Sequence, residues 1–181
     1  QGQYQPAIQK FQQAIHANPG DVDAYYNLAA TYHRMGKVSS DQTALVQAEN
    51  LYKQCLEYSP NHSDTHRGLA VLLAETGRPG DAFRSLENWV IQQPHVAEAK
   101  VELARLYEEF GDAESAKRHL EEALVADTSN ARAWAALANL REKSGDYRQA
   151  LANYQRSYQL NSLQPQVATR ISSLQSGLGG N

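Results

Sequence analysis

Residues 131–164 read ARAWAALANLREKSGDYRQALANYQRSYQLNSLQ, and most of the landmarks in this stretch have counterparts 34 residues upstream. Leu137-Ala138 answers to Leu103-Ala104 and Leu69-Ala70, and Gly145 to Gly111 and Gly77. Ala150 answers to Ala116, Ala82 and Ala48, and Tyr154 to Leu120, Leu86 and Tyr52. Small and bulky positions keep the same beat, which chance does not produce in register. A period of this size means stacked supersecondary units, each unable to bury its apolar face alone.

The unit before it shows what one period contains. In residues 97–110, Val101, Leu103, Ala104, Leu106 and Tyr107 fall largely on one side at helical spacing. Gly111-Asp112 supplies a turn, because glycine tolerates the positive φ at which helices end. A second helix follows with Ala116, Leu120, Ala123 and Leu124, and Asp127-Thr128-Ser129-Asn130 breaks the chain before the next unit. No alternating strand pattern occurs, so the expected fold is all-α.

A helix–turn–helix of 34 residues with an aromatic, Leu-Ala, Gly, Ala, a bulky residue and Pro resembles the tetratricopeptide repeat. Trp134, Leu137-Ala138, Gly145, Tyr147, Ala150 and Tyr154 carry the resemblance in one unit; Tyr25, Leu28-Ala29, Tyr32, Gly36, Ala48, Tyr52 and Pro60 carry it in another. It covers nearly the whole chain and implies a right-handed α-solenoid of antiparallel helical hairpins. Two slots depart from it. His66 and Lys100 stand where Tyr25 and Trp134 stand, and Trp89 stands where Ala14, Cys55 and Ala123 stand. Compensating packing within one repeat is the expected reading of Trp89 and His66.

The beat sets the organisation: the second half of a truncated repeat (1–21), a lengthened repeat (22–62), repeats at 63–96, 97–130 and 131–164, a C-terminal capping helix (165–176) and a flexible tail (177–181). Gly2, Tyr4, Ala7, Phe11, Ala14 and Pro19 match a second helix whose first helix lies upstream, so end-to-end self-association through the uncovered apolar stripe is expected. Pro19 to Pro60 spans 41 residues, seven more than the beat. Seven residues make about two turns with ~20° of drift, and Ser39 with Gln42 fits a capping box. The insertion is therefore expected to lengthen the second helix at its start. On the last helix, Val167, Ile171 and Leu174 form one packing stripe.

Composition narrows the function classes. The net charge is −3 with 20% charged residues, which suits neither a polybasic nucleic-acid binder nor a disordered acidic tail. The single cysteine, Cys55, excludes an intramolecular disulfide. No run approaches the ~18 apolar residues of a membrane span, and Gln1-Gly2-Gln3-Tyr4 has no signal-peptide pattern. There is no phosphate loop, no G-x-S-x-G and no paired-cysteine motif. His62, Asp64 and His66 look superficially ligand-like, but His62 falls in the turn after Pro60, where the helical i, i+4 geometry of a zinc pair is lost. No catalytic residue, metal or cofactor is expected.

The resemblance implies a ligand groove lined by first helices, on the side opposite Leu-Ala. Its columns are Asp23, Asp64, Glu98, Arg132; Tyr26, Arg67, Val101, Ala135; Asn27, Gly68, Glu102, Ala136; Ala30, Val71, Arg105, Asn139; and His33, Ala74, Glu108, Glu142. Candidate groove residues are Asp23, Tyr26, Asn27, His33, Arg67, Val71, Glu102, Arg105, Arg132 and Asn139, with Tyr26, Arg67 and Arg105 as anchors. Residues 97–130 carry nine acidic and four basic side chains, and residues from 131 onward six basic and two acidic. That order favours a ligand with a basic stretch followed by an acidic or carboxylate end. The opposing reading has these charges pairing within the face. The expected function is a protein-interaction scaffold holding a protein or peptide, not nucleic acid; the alternative is the recognition arm of a larger enzyme.

Overall fold

The computed structural model describes residues 4–179. Among them the regular structure is ten α-helices, with no strand. They are α1 (Gln5–Ala17), α2 (Val22–Ser39), α3 (Gln42–Tyr58), α4 (Ser63–Glu75), α5 (Pro79–Gln92), α6 (Ala97–Glu109), α7 (Ala113–Ala126), α8 (Ala131–Lys143), α9 (Tyr147–Leu160) and α10 (Pro165–Gly179). Two compact units form, Gln1–Leu86 and Glu87–Asn181, and the division falls inside α5.

Local chemistry explains the boundaries. Asp21, Asp41, Asp112, Asn130 and Asp146 each cap a helix, their side chains accepting from backbone N–H groups of the first turn. Gly77, Gly111 and Gly145 take positive φ in the turns that join first to second helices. In the second unit, Ala97, Val101 and Ala104 of α6 pack with Ala116, Leu120, Ala123 and Leu124 of α7 and Ala133, Leu137 and Leu140 of α8. In the first unit, α1 and α3 both pack on α2, and α4 packs on α3. Tyr52, Cys55, Leu69 and Leu72 are buried there.

The departing slots follow their own rule. His66 Nε2 lies 2.8 Å from the Pro60 carbonyl, the Lys100 ammonium donates to the Pro94 carbonyl, and Trp134 Nε1 donates to the Thr128 carbonyl at 2.9 Å. Each partner sits six residues upstream, in the turn before the helix. In these three repeats the slot's side chain reaches back to that turn, whereas Tyr25, in the same slot of the lengthened repeat, packs on Tyr58 with ring centroids 5.3 Å apart. Trp89 is buried in the second unit and His66 in the first, so the two occupy different compact units. Cys55 and Ser157 share the Trp89 slot and place Sγ 3.5 Å from the Val22 carbonyl and Oγ 2.8 Å from the Ala131 carbonyl, each the first residue of its own repeat's first helix.

The seven-residue insertion is shared between both helices of its hairpin, contrary to the expectation that the second alone grows. α2 has 18 residues where α4, α6 and α8 have 13, and α3 has 17 where α7 and α9 have 14. The turn moves with it. Ser40 takes the left-handed conformation (φ 54°), Asp41 rather than Ser39 is the cap, and Ser39 stays inside α2 with its hydroxyl on the Met35 carbonyl. Gly36 is released from turn duty and buried inside α2. A Cβ there would lie 2.8 Å from Leu45 Cγ, so glycine now serves the close approach of α3.

At the C-terminal end, α10 continues to Gly179 through residues expected as tail; residues 180–181 of that tail, like Gly2 at the other end, lie outside the described residues. Val167 and Leu174 are buried against Ala138, Ala150 and Tyr154, with Ile171 packed alongside. Pro165 falls 34 residues after Ala131, so α10 holds the register of a further first helix.

Urea melts test these points. Gly36→Ala should lose about 1–3 kcal/mol despite alanine's better helix propensity, because Leu45 and the Asp41 carbonyl crowd the new methyl. Gly80→Ala, which meets open space in α5, should be neutral or gain up to about 1 kcal/mol. Trp134→Phe should lose about 1 kcal/mol or more by removing the donor to Thr128.

Candidate functional site

In the first unit the face is built around one buried phenol. Tyr52 rises from α3 beneath Gly68, where a Cβ would lie 2.8 Å from the ring. Tyr26 tilts over it with centroids 6.3 Å apart and meets the His62 ring at 5.5 Å. His33 stands edge-on to Tyr52 at 6.2 Å and places Nε2 3.0 Å from Glu75, which also accepts from Lys37 at 2.6 Å. Burial, with Tyr26, Cys55 and Glu75 adding to it, pushes the Tyr52 phenol well above its usual range, so it stays protonated. Burial alone would raise the Glu75 carboxyl; the hydrogen bonds from Lys37 and His33 outweigh it and hold Glu75 below its usual value.

The sequence-chosen residues of this unit separate. Tyr26 and His33 converge on Tyr52. Arg67 is tied to Asp64 by a short ion pair, and the lengthened α2 and α3 leave a hollow of ≈ 420 Å³ lined by Lys37, Leu45 and Glu75. Asn27 lines a different hollow with Tyr4 and Phe11 beside α1. Asp23 is exposed and Val71 half-buried. His62 caps α4 by accepting from Thr65 N–H, and Thr65 Oγ1 sits 2.7 Å from His62 Nδ1 and 3.0 Å from Cys55 Sγ. This Cys–Thr–His chain is no nucleophile relay: Cys55 is fully buried, and burial pushes its thiol up.

In the second unit, charge is organised between repeats. Glu102 is fully buried; Arg132 reaches it across from α8 and also meets Glu98 at 2.7 Å. Arg105 meets Glu102 at 3.3 Å and Glu109 at 3.4 Å. Lys143 meets Glu108 at 2.6 Å, and Arg170 lies 3.6 Å from Glu142. The acidic repeat thus faces the basic one, and Glu102, Arg105 and Arg132 form one network. The expected anchors Arg67 and Arg105 both sit on carboxylates of their own helix.

A cleft of ≈ 740 Å³ opens beside this network. Ala135, Ala136, Asn139 and Lys143 of α8 and Gln166, Thr169 and Arg170 of α10 line it, with Glu108 and Tyr154. Tyr154 donates to Glu142 at 3.0 Å, and burial together with that carboxylate pushes its phenol up to about 12. Of these residues Asn139 was among the chosen candidates, and Ala135, Ala136 and Glu108 stood in the sequence-derived groove columns. The α10 contribution was readable from Pro165, which continues the beat and carries the groove columns on to Gln166, Thr169 and Arg170.

A TPR repeat model matches residues 1–36, and tetratricopeptide repeat models match residues 73–140 and 133–165. The chain belongs to the tetratricopeptide repeat family. Within this tetratricopeptide array, 81 residues are 35% identical to a PEX5-related protein of Homo sapiens, a match covering 45% of this chain and only 12% of that protein. The array shares its fold with TTC0263, a thermophilic TPR protein of Thermus thermophilus, at a TM-score of 0.70, 23% identity, 96% of this chain and 91% of that one. YrrB, a TPR protein with an unusual peptide-binding site, matches at a TM-score of 0.54, 15% identity, 93% of this chain and 83% of that one. At such identities the likeness to both structures is one of fold, a set of solenoid-like helical repeats.

The Glu75 pair gives a pH signature. A carboxyl depressed by folding adds stability above its unfolded pKa, and that contribution is lost as pH falls through the lower folded value. Glu75→Gln should therefore melt earlier than the parent at about pH 7, with the gap closing as pH drops below about 4. Thermal melts across that range check it.

Proposed function

We propose that this array is a protein-interaction scaffold, holding an extended or helical segment of a partner against its first-helix faces, with the α8–α10 cleft as principal seat. The cleft carries the reading. It is ≈ 740 Å³ in size, within the usual range for ligand sites, and combines a floor of small side chains with convergent amide, cationic and hydroxyl groups. Tetratricopeptide repeats build such faces without catalytic groups, and YrrB has a peptide-binding site on the same fold. The PEX5-related match adds that comparable repeats occur within much longer proteins.

Charge argues against nucleic acid as the partner. On the second unit's first-helix face, Glu98, Glu102 and Glu108 stand among the cations, a poor surface for a phosphate backbone. No helix of the described residues is long and apolar enough to cross a membrane, and no cluster of three metal-ligating side chains occurs among them.

The test is a peptide-display selection against the full chain, followed by amide hydrogen exchange with and without the selected peptide. Protection gained on α8 and α10 supports the reading. Protection confined to the second helices α7 and α9, or a selection that yields no binder, rejects it.

A further inference from the structure

We propose that the first unit carries a separate seat between its second helices α1 and α3, which takes an extended peptide segment without charged side chains and grips it by its backbone.

α1 and α3 both pack on α2 and leave a hollow of ≈ 250 Å³ between them. Its apolar lining is Leu28 and Tyr32 of α2 and Leu51 of α3, the first buried and the other two half-buried. Around them stand four exposed amides, Gln12 from α1 and Gln47, Asn50 and Gln54 from α3. Among the described residues, none of these four side chains has a hydrogen-bond partner within the chain. No residue lining the hollow is charged. The neighbouring charges on α3, Glu49 and Lys53, meet each other at 2.7 Å and so neutralise one another.

The beat marks this set as a departure. One and two periods on, the positions of Gln47, Asn50, Leu51 and Gln54 are held by Asp81, Arg84, Ser85 and Asn88 of α5 and by Ser115, Arg118, His119 and Glu122 of α7. There the same positions bond within their own helix, Arg84 to Asp81 and His119 to Glu122, both at 3.2 Å. In α9 the last of them is Arg156, which reaches Gln159. Only in α3 is the set neutral throughout and left without partners.

The chemistry of the hollow names its occupant. A side-chain amide offers two donors and an acceptor oxygen, the complement of a peptide group. The three amides of α3 follow one another at three and four residues, so they rise about 10 Å along one face of the helix. An extended chain advances ~3.3 Å per residue, so about three or four residues span that row while Gln12 meets them from α1. A helical segment would not serve, because its peptide groups already bond to each other. A charged side chain set against Leu28 and Leu51 would lose water and find no counter-ion, which selects an uncharged segment. The two leucines suit aliphatic side chains rather than the hydroxyl-bearing rings of a glycan.

The experiment screens the full chain against dodecapeptides built from Gly, Ala, Val, Leu, Ser, Thr, Asn, Gln and Tyr, acetylated and amidated so that no member is charged. Maltohexaose is the glycan probe. The comparison proteins are Gln47→Ala/Asn50→Ala/Gln54→Ala, Gln12→Ala on the opposite wall and, as the same truncation two periods on, Ser115→Ala/Arg118→Ala/Glu122→Ala. Bound peptides are expected, held about tenfold less tightly by the α3 variant, more weakly by Gln12→Ala and equally by the α7 variant. Affinity should not change between about 0.05 and 0.5 M salt. Methylating every second peptide nitrogen of a bound peptide should abolish binding in at least one of the two registers. No bound peptide, equal binding by the α3 variant and by Gln12→Ala, or binding that survives methylation in both registers overturns the inference. So does maltohexaose bound in place of peptides. Each of those outcomes leaves the α8–α10 cleft standing, since that reading is decided by protection on α8 and α10.

Discussion

Four alanines set the geometry on which the rest depends. Ala48, Ala82, Ala116 and Ala150 are completely buried, one in each second helix from α3 to α9. Ala116 shares a core with Ala104 of α6, and Ala150 with Ala138 of α8. A methyl is the largest group that lets two helices pack this tightly, and interiors have little slack to absorb more. In the second unit that contact recurs with the beat, so α8 follows α6, and α10 follows α8, at a set offset. The ion pairs between α6 and α8, and the cleft between α8 and α10, are consequences of that offset.

Electrostatics then fills the space the alanines define. The acidic repeat and the basic repeat were visible in the sequence as two blocks of opposite sign, which suggested a field offered to a ligand. Most of that field is consumed internally. Glu98 and Glu102 meet Arg132, and Glu108 meets Lys143. Burying Glu102 is tolerable only because two guanidiniums reach it. The more exposed cations, Lys143 and Arg170, lie at the α8–α10 side of the second unit, apart from the arginines that hot-spot statistics favoured.

The all-α repeat was legible because its markers are steric and local: Ala where helices touch, Gly where φ turns positive, Leu-Ala on the inner face. The insertion was not. Seven residues advance a helix by nearly whole turns, so lengthening either helix keeps the same side chains facing inward. Only the contact of Gly36 with Leu45 decides that both grow. The donor slot was hidden for another reason. His, Lys and Trp share no shape or polarity, and their common act, reaching a carbonyl six residues back, exists only once the turn is folded. Arg170 was missed because the columns were stopped one helix early, although Pro165 kept the count.

The pairing of α6 with α8 carries a consequence for how freely these repeats can be exchanged. An array held together by apolar contacts alone would tolerate shuffling, since every unit presents the same alanines and leucines. This one does not. A duplicate of residues 97–130 set behind the original would bring a second Glu98 where Arg132 now stands, and a second Glu109 where Lys143 now stands. The contact between the two copies would then set carboxylates against carboxylates, with the cross-repeat cations Arg132 and Lys143 lost from it. Repeats 97–130 and 131–164 are alike in helix length and unequal in charge, and it is the charge that fixes the order of these two.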